Sequence, residues 1–113
     1  MRRNTPIWRM IRAACVVCGL LPVNAQAADV DVDQQGIRFS QPEITLKVGD
    51  TLHFHNHDDV THNIMIIDAD DDAEDQGMQK PGQVISKQFT EAGTFEARCA
   101  IHPKMKMTIT VGK

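Results

Sequence analysis

Tyrosine is absent from the chain, and only one tryptophan and four phenylalanines stand among its 113 residues. The interior of any domain must therefore rest on aliphatic side chains and on Phe39, Phe54, Phe89 and Phe95. Positive charge is scarce over most of the length. Arg2, Arg3, Arg9 and Arg12 cluster at the start, and from residue 28 onward eight basic side chains face all fifteen acidic ones, a formal charge of −7. Nucleic acid and anionic membrane surfaces both demand positive charge, so neither is an expected partner. The one extended apolar stretch, Ile11 to Val23, falls short of the ~20 residues of a membrane span, and no second one follows. Internal repeats, low-complexity tails and any oxyanion-hole motif are also missing, which argues against a hydrolase with a cysteine nucleophile.

What the first residues do contain reads as an export signal. Arg2, Arg3, Arg9 and Arg12 form a basic region at the head of the apolar stretch, and Ala25-Gln26-Ala27 is a small-x-small pattern that signal peptidase cuts before Ala28. The expected organisation is a secretory signal over residues 1–27 and a single domain over 28–113, released to the periplasm by the general secretory route. Cys15 and Cys18 leave with the signal, so Cys99 is the one cysteine of the mature chain. A lone cysteine in an oxidising compartment makes no internal disulfide and is better explained as a ligand. At this size a core is marginal without help, and metals commonly supply it.

The domain reads as all-β. Ile37 to Phe39 forms a short segment before Ser-Gln-Pro. Ile44 to Val48 alternates, with Ile44, Leu46 and Val48 expected inward. Thr51 to His55 alternates again with Leu52 and Phe54 inward, and Asn56 to Thr61 is a loop. His62 to Ile67 is apolar enough to be buried on both faces. Further strands are expected over Val84 to Phe89, Thr94 to Arg98 and Thr108 to Val111. The acid-rich stretch from Asp68 to Pro81 breaks the pattern and reads as an irregular loop or a single helical turn. Seven to eight strands at this spacing suit a Greek-key β-sandwich.

One constellation carries chemistry. His62 opens a strand after a loop, Cys99 closes the penultimate strand, and His102 and Met105 follow on the short loop before the last one. A thiolate, two imidazoles and a weak thioether are the donor set of trigonal copper sites that shuttle between Cu(I) and Cu(II). The soft thiolate holds Cu(I), the imidazoles suit both states, and the thioether tunes the potential. Met107 is a rival for the axial place.

Around these residues the chain resembles the cupredoxins, the small blue copper proteins that include plastocyanin, pseudoazurin and amicyanin. Leu52 to Ile64 is similar to the plastocyanin segment leading to its first histidine ligand. Gly93-Thr-Phe-Glu-Ala-Arg-Cys99 resembles the approach strand, and Cys99-x-x-His102-x-x-Met105 has the short loop of amicyanin, whose His-Pro-x-Met arrangement favours Met105 over Met107. Ile109 and Val111 then fall four and six residues beyond it, the register at which family members resume inward-facing strand residues. The resemblance implies one copper ion at His62, Cys99, His102 and Met105. It implies no enzyme activity, but a monomeric periplasmic one-electron carrier between redox proteins such as a dehydrogenase, a cytochrome or an oxidase. Copper carriage or buffering is the alternative reading. Two departures stand out. Asn63, which in the family often braces the ligand loop through a hydroxyl residue beside the cysteine, here meets Ala100. Arg98 replaces an aromatic used in partner docking.

Two features remain open at this level. His53, His55 and His57 alternate along one strand face near Asp58 and Asp59, as a second, weaker metal site would, or as plain outward polar positions do. The acidic run is either a docking patch or a solvated loop.

Overall fold

The computed structural model describes residues 26–113. The expected signal, apart from its last two residues, lies outside the described residues.

Eight strands make up the domain: β1 Asp29–Gln34, β2 Glu43–Lys47, β3 Thr51–Asn56, β4 His62–Ile67, β5 Ala73–Gln79, β6 Val84–Gln88, β7 Gly93–Arg98 and β8 Lys106–Gly112. They form a three-stranded sheet in the order β1-β3-β6 and a five-stranded sheet in the order β2-β8-β7-β4-β5. β1 runs parallel to β3 and β2 parallel to β8, while the other pairings are antiparallel.

Alternation drives the packing. On β3, Leu52, Phe54 and Asn56 are buried and the residues between them are half-exposed. On β8, Met107, Ile109 and Val111 point inward between exposed Lys106, Thr108 and Thr110. These residues meet Val32, Leu46, Ile64, Ile66 and Ala97 between the sheets. Each fully buried Leu, Ile or Phe contributes roughly 1.5–3 kcal/mol relative to its exposed state. The four phenylalanines pack in two edge-on pairs, Phe39 with Phe54 and Phe89 with Phe95.

Several expectations are corrected here. The acid-rich stretch is no helical turn, because Ala73–Gln79 forms β5 beside β4. It is an edge strand with only Gln79 fully buried, so it carries no apolar alternation to read. Asp29–Gln34 is a further strand, whose inward residues are Val32 and Gln34. Ile37 lies in a turn rather than a strand, and Phe39 makes an isolated bridge to Gln34. Val48 is 42% exposed instead of inward. β2 ends at Lys47, and Val48 already belongs to the turn that Gly49, with a φ of 99°, completes.

Asp50 clips this turn to its neighbours. Its buried carboxylate accepts the backbone N–H groups of Ala28 and Lys47, both at 2.8 Å. Those two bonds hold its carboxyl below the ordinary value of 3.8. A depressed carboxyl contributes stability that is present above the ordinary value and lost as pH falls through the folded-state value. Asp50→Asn is therefore expected to lower Tm by several degrees at neutral pH and to flatten the acid limb of a Tm-against-pH series below about pH 4. An unchanged acid limb would refute this role.

Candidate metal centre

β4 and β7 are antiparallel, with Met65 opposite Arg98, and Arg98 in turn lies opposite Lys106 of β8. The start of β4, the end of β7 and the start of β8 are therefore brought to one end of the five-stranded sheet. His62, Cys99 and Met105 occupy those three positions and are all buried, with half-buried His102 on the loop between the last two.

Three donor atoms form a triangle there. The Nδ1 atoms of His62 and His102 are 3.1 Å apart, and Cys99 Sγ lies 3.9 Å from the first and 3.6 Å from the second. A point in their plane lies about 2 Å from all three, close to ordinary metal–imidazole and metal–thiolate bond lengths. Among the described residues this is the only group of three or more histidine, cysteine or carboxylate side chains that converges in this way. The donor set and its spacing fit a copper ion.

Hydrogen bonds outside the triangle fix its members. His62 Nε2 donates to Asp58 Oδ2 at 2.7 Å, which leaves the Nδ1 lone pair facing the triangle. The Asp58 carboxylate also accepts the N–H groups of Gly36 at 2.6 Å and Ile37 at 3.0 Å. Both residues are in the left-handed region, with φ of 67° and 54°, and the carboxylate compensates the conformation of Ile37, which lacks glycine's freedom. Burial pushes the Asp58 carboxyl up, but the bonds from His62, Ile37 and Gly36 outweigh it and hold the group below its usual range. Asp58 is kept in place by its own N–H, which donates to Asn56 Oδ1 at 2.9 Å.

The loop carrying Cys99 and His102 is tied back to β4 through Asn63. Ala100 N–H donates to Asn63 Oδ1 at 2.6 Å, and Asn63 N–H points at Cys99 Sγ at 3.4 Å. The missing hydroxyl at position 100 thus costs the loop no brace, because the backbone amide takes its place. Asn63 Nδ2 also reaches Asp75 Oδ1 at 3.4 Å, so one residue of the acidic run serves the site from β5. Within the loop, Met105 N–H donates to His102 O at 2.9 Å.

Sequence reasoning placed His62, Cys99, His102 and Met105, and the structure brings all four to this end of the sandwich. It missed Asp58 as the partner of His62, having grouped it with the other histidines. The signal was present: a carboxylate four residues before a histidine, following an asparagine that can cap the turn.

A β-sandwich that sets two imidazoles and a thiolate at one end, with a buried methionine in the same loop, defines a blue copper protein of the cupredoxin type. The chain belongs to the plastocyanin/azurin family of copper binding proteins, whose family model matches residues 26–112, and copper is its cofactor. It is 34% identical over 91 residues to amicyanin of Paracoccus denitrificans, covering 77% of this chain and 70% of that one. It is 31% identical over 87 residues to the methylamine utilization protein MauL of Methylorubrum extorquens, covering 77% and 76%. Plastocyanin of Ulva prolifera is 30% identical over 89 residues, covering 70% of this chain and 91% of the relative. Among solved structures, a Cu(I) amicyanin variant superposes with a TM-score of 0.68 at 32% identity, over 74% of this chain and 81% of that one.

Asn63→Ala removes the acceptor of the Ala100 amide. It is expected to destabilise the metal-free chain by about 1 kcal/mol in urea titration. Copper affinity, measured against a competing chelator, should fall by about 10–100-fold. Wild-type affinity in the variant would show that the brace is dispensable.

Proposed function

We propose that this chain is an exported one-electron carrier whose copper is held by His62, Cys99, His102 and Met105. Bound copper supplies reversible one-electron exchange between Cu(I) and Cu(II). The observation that carries the reading is the triangle itself, which stands at bonding separation and is locked by Asp58 and Asn63. Donors held in one geometry move little when the charge at their centre changes, and little movement means fast exchange.

His102 joins the site to the surface. It is half-buried where His62 and Cys99 are fully enclosed, and Ile101 beside it is 47% exposed. With Pro103, Ile101 forms a small apolar rim over which a redox partner can approach the imidazole edge. The likeness to amicyanin and to the methylamine utilization protein MauL suggests a donor from amine oxidation.

Met105, rather than Met107, would be the fourth donor to bound copper. Its amide is bonded to His102 O, so it moves with the ligand loop. Met107 lies opposite Ala97 in the sheet and alternates with Ile109 and Val111 as a core residue.

Export is supported by one contact. Cleavage before Ala28 would create an α-ammonium at an atom already 2.8 Å from Asp50 Oδ1, turning an amide bond to a carboxylate into an ion pair. Mass spectrometry of the protein recovered from the periplasm should then give an amino terminus at Ala28.

The copper-loaded protein should show an intense visible absorption at roughly 600 nm from the copper–thiolate pair. Met105→Leu should shift the reduction potential by about 60 mV or more, a tenfold change in a one-electron equilibrium. Met107→Leu should leave the potential in place and cost less than about 1.5 kcal/mol of stability. A colourless copper complex would sink the carrier reading, and a shift confined to the Met107 variant would reverse the choice of fourth donor.

A further inference from the structure

The outer face of the three-stranded sheet carries a second set of metal-type donors. His53, His55 and His57 project from β3 and its exit, and Asp29, Asp31 and Asp33 project from β1 on the same side. Each histidine is joined through Nε2 to an aspartate two positions back along the parallel register. His53 meets Asp29 at 3.0 Å, His55 meets Asp31 at 2.7 Å and His57 meets Asp33 at 2.9 Å. In the strand register, however, Asp31 lies opposite His53 and Asp33 opposite His55. Carboxylate and imidazole therefore alternate along the face, and His55 is flanked by an aspartate on either side.

We propose that this ladder is a surface binding site for one cupric ion, centred on His55 and His57 with Asp31 and Asp33. Four observations support it. The nitrogen–oxygen separations of 2.7 and 2.9 Å match those of two neighbouring ligands at right angles around an ion with bonds of about 2.0–2.1 Å. The rings of His55 and His57 are nearly parallel, 7° apart in plane with centroids at 6.0 Å, so both nitrogens are offered on one side of the sheet. Among the described residues the Nδ1 atoms of these two rings have no hydrogen-bond partner, so each can carry its proton there and turn the Nε2 lone pair to a cation. His53 differs, since its Nδ1 is bonded to Ser86 Oγ at 2.6 Å. Finally, the outward positions of β6 beside the ladder are Val84, Ser86 and Gln88, while Lys87 of that strand lies opposite inward Leu52 and pairs with Glu74, so no basic side chain on the ladder's face of these strands opposes a divalent ion.

Two imidazoles and two carboxylates in a tetragonal set suit Cu(II), and Cu(II) binds such donors more tightly than the other divalent ions of its row. The four atoms are paired rather than gathered on one point, and the side chains are 31–68% exposed. The ion must draw them together. This is the chemistry of a weaker, exchangeable site, unlike the enclosed triangle with its sulfur.

The test is a Cu(II) titration of the mature chain, followed by electron paramagnetic resonance and by competition with a chelator. A second equivalent should bind with a tetragonal nitrogen–oxygen signal, distinct from that of the first. In the His55→Gln/His57→Gln double variant its affinity should fall by about tenfold or more, while the first equivalent keeps its colour and potential. Asp33→Asn should weaken the second equivalent in the same direction, and His53→Gln should change it by less than about twofold. In a Cys99→Ser chain the coloured site is lost and the ladder should still take its ion, so failure of either site is read separately. Binding of strictly one equivalent by the mature chain, or a second equivalent untouched by the double variant, would overturn the proposal.

Discussion

The bond from the Ala100 amide to Asn63 Oδ1 is the tie on which the metal centre depends. Its partners are 37 residues apart in sequence. One stands at the head of β4 beside His62, and the other on the loop that carries Cys99 and His102. Nothing covalent holds these pieces together, and Cys99 cannot be crosslinked if it is to bind metal. A short buried-side hydrogen bond does the joining instead, with the Asn63 amide turned toward the sulfur from the same residue. The Asp58 carboxylate does the corresponding work for His62 from the opposite side. With both ends fixed, the donors stand at bonding separation through the protein's own contacts.

β3 shows how much one strand register decides. Its even-numbered residues build the core and the buried end of the β3–β4 loop, where Asn56 Nδ2 donates to the carbonyls of Val60 and Gln79. Its odd-numbered residues build the histidine ladder. A slip by one residue would exchange the two faces, burying imidazoles and exposing Phe54 and Leu52. The ladder's last histidine is followed directly by Asp58, so the chain passes from the outer face to the partner of His62 within two residues.

The donors were legible in the sequence because three of the four lie within seven residues, and because Leu52, Phe54, Ile109 and Val111 alternate plainly. β5 was not legible. An edge strand exposed along most of its length needs no apolar alternation, and its acids resemble a loop until Asn63 and Lys87 are placed against them. β1 was hidden for a related reason: exposed aspartates alternate with its inward Val32 and Gln34, and their partners come from a strand more than twenty residues later. The pairing of Asp58 with His62 left a signal in their spacing, but its bonds to the amides of Gly36 and Ile37, which reach it across the fold, left none. Met107, by contrast, was expected as a core residue and is buried between the sheets, as Met105 is too.

The order of assembly follows from the place of β8. It is the last strand, yet it sits between β2 and β7 and pairs with both, from Glu43 opposite Thr108 on one side to Gly93 opposite Val111 on the other. The pairing with β7 is a local hairpin, with Arg98 opposite Lys106, while that with β2 joins residues more than sixty positions apart and closes a far longer loop. Local pairings precede such long-range ones, so the hairpin that carries Cys99, His102 and Met105 forms ahead of its docking on the rest of the sheet. His62 joins it only when β4 meets β7, and until then a nascent or partly emerged polypeptide has thiol and imidazoles but no closed cage to trap an ion prematurely.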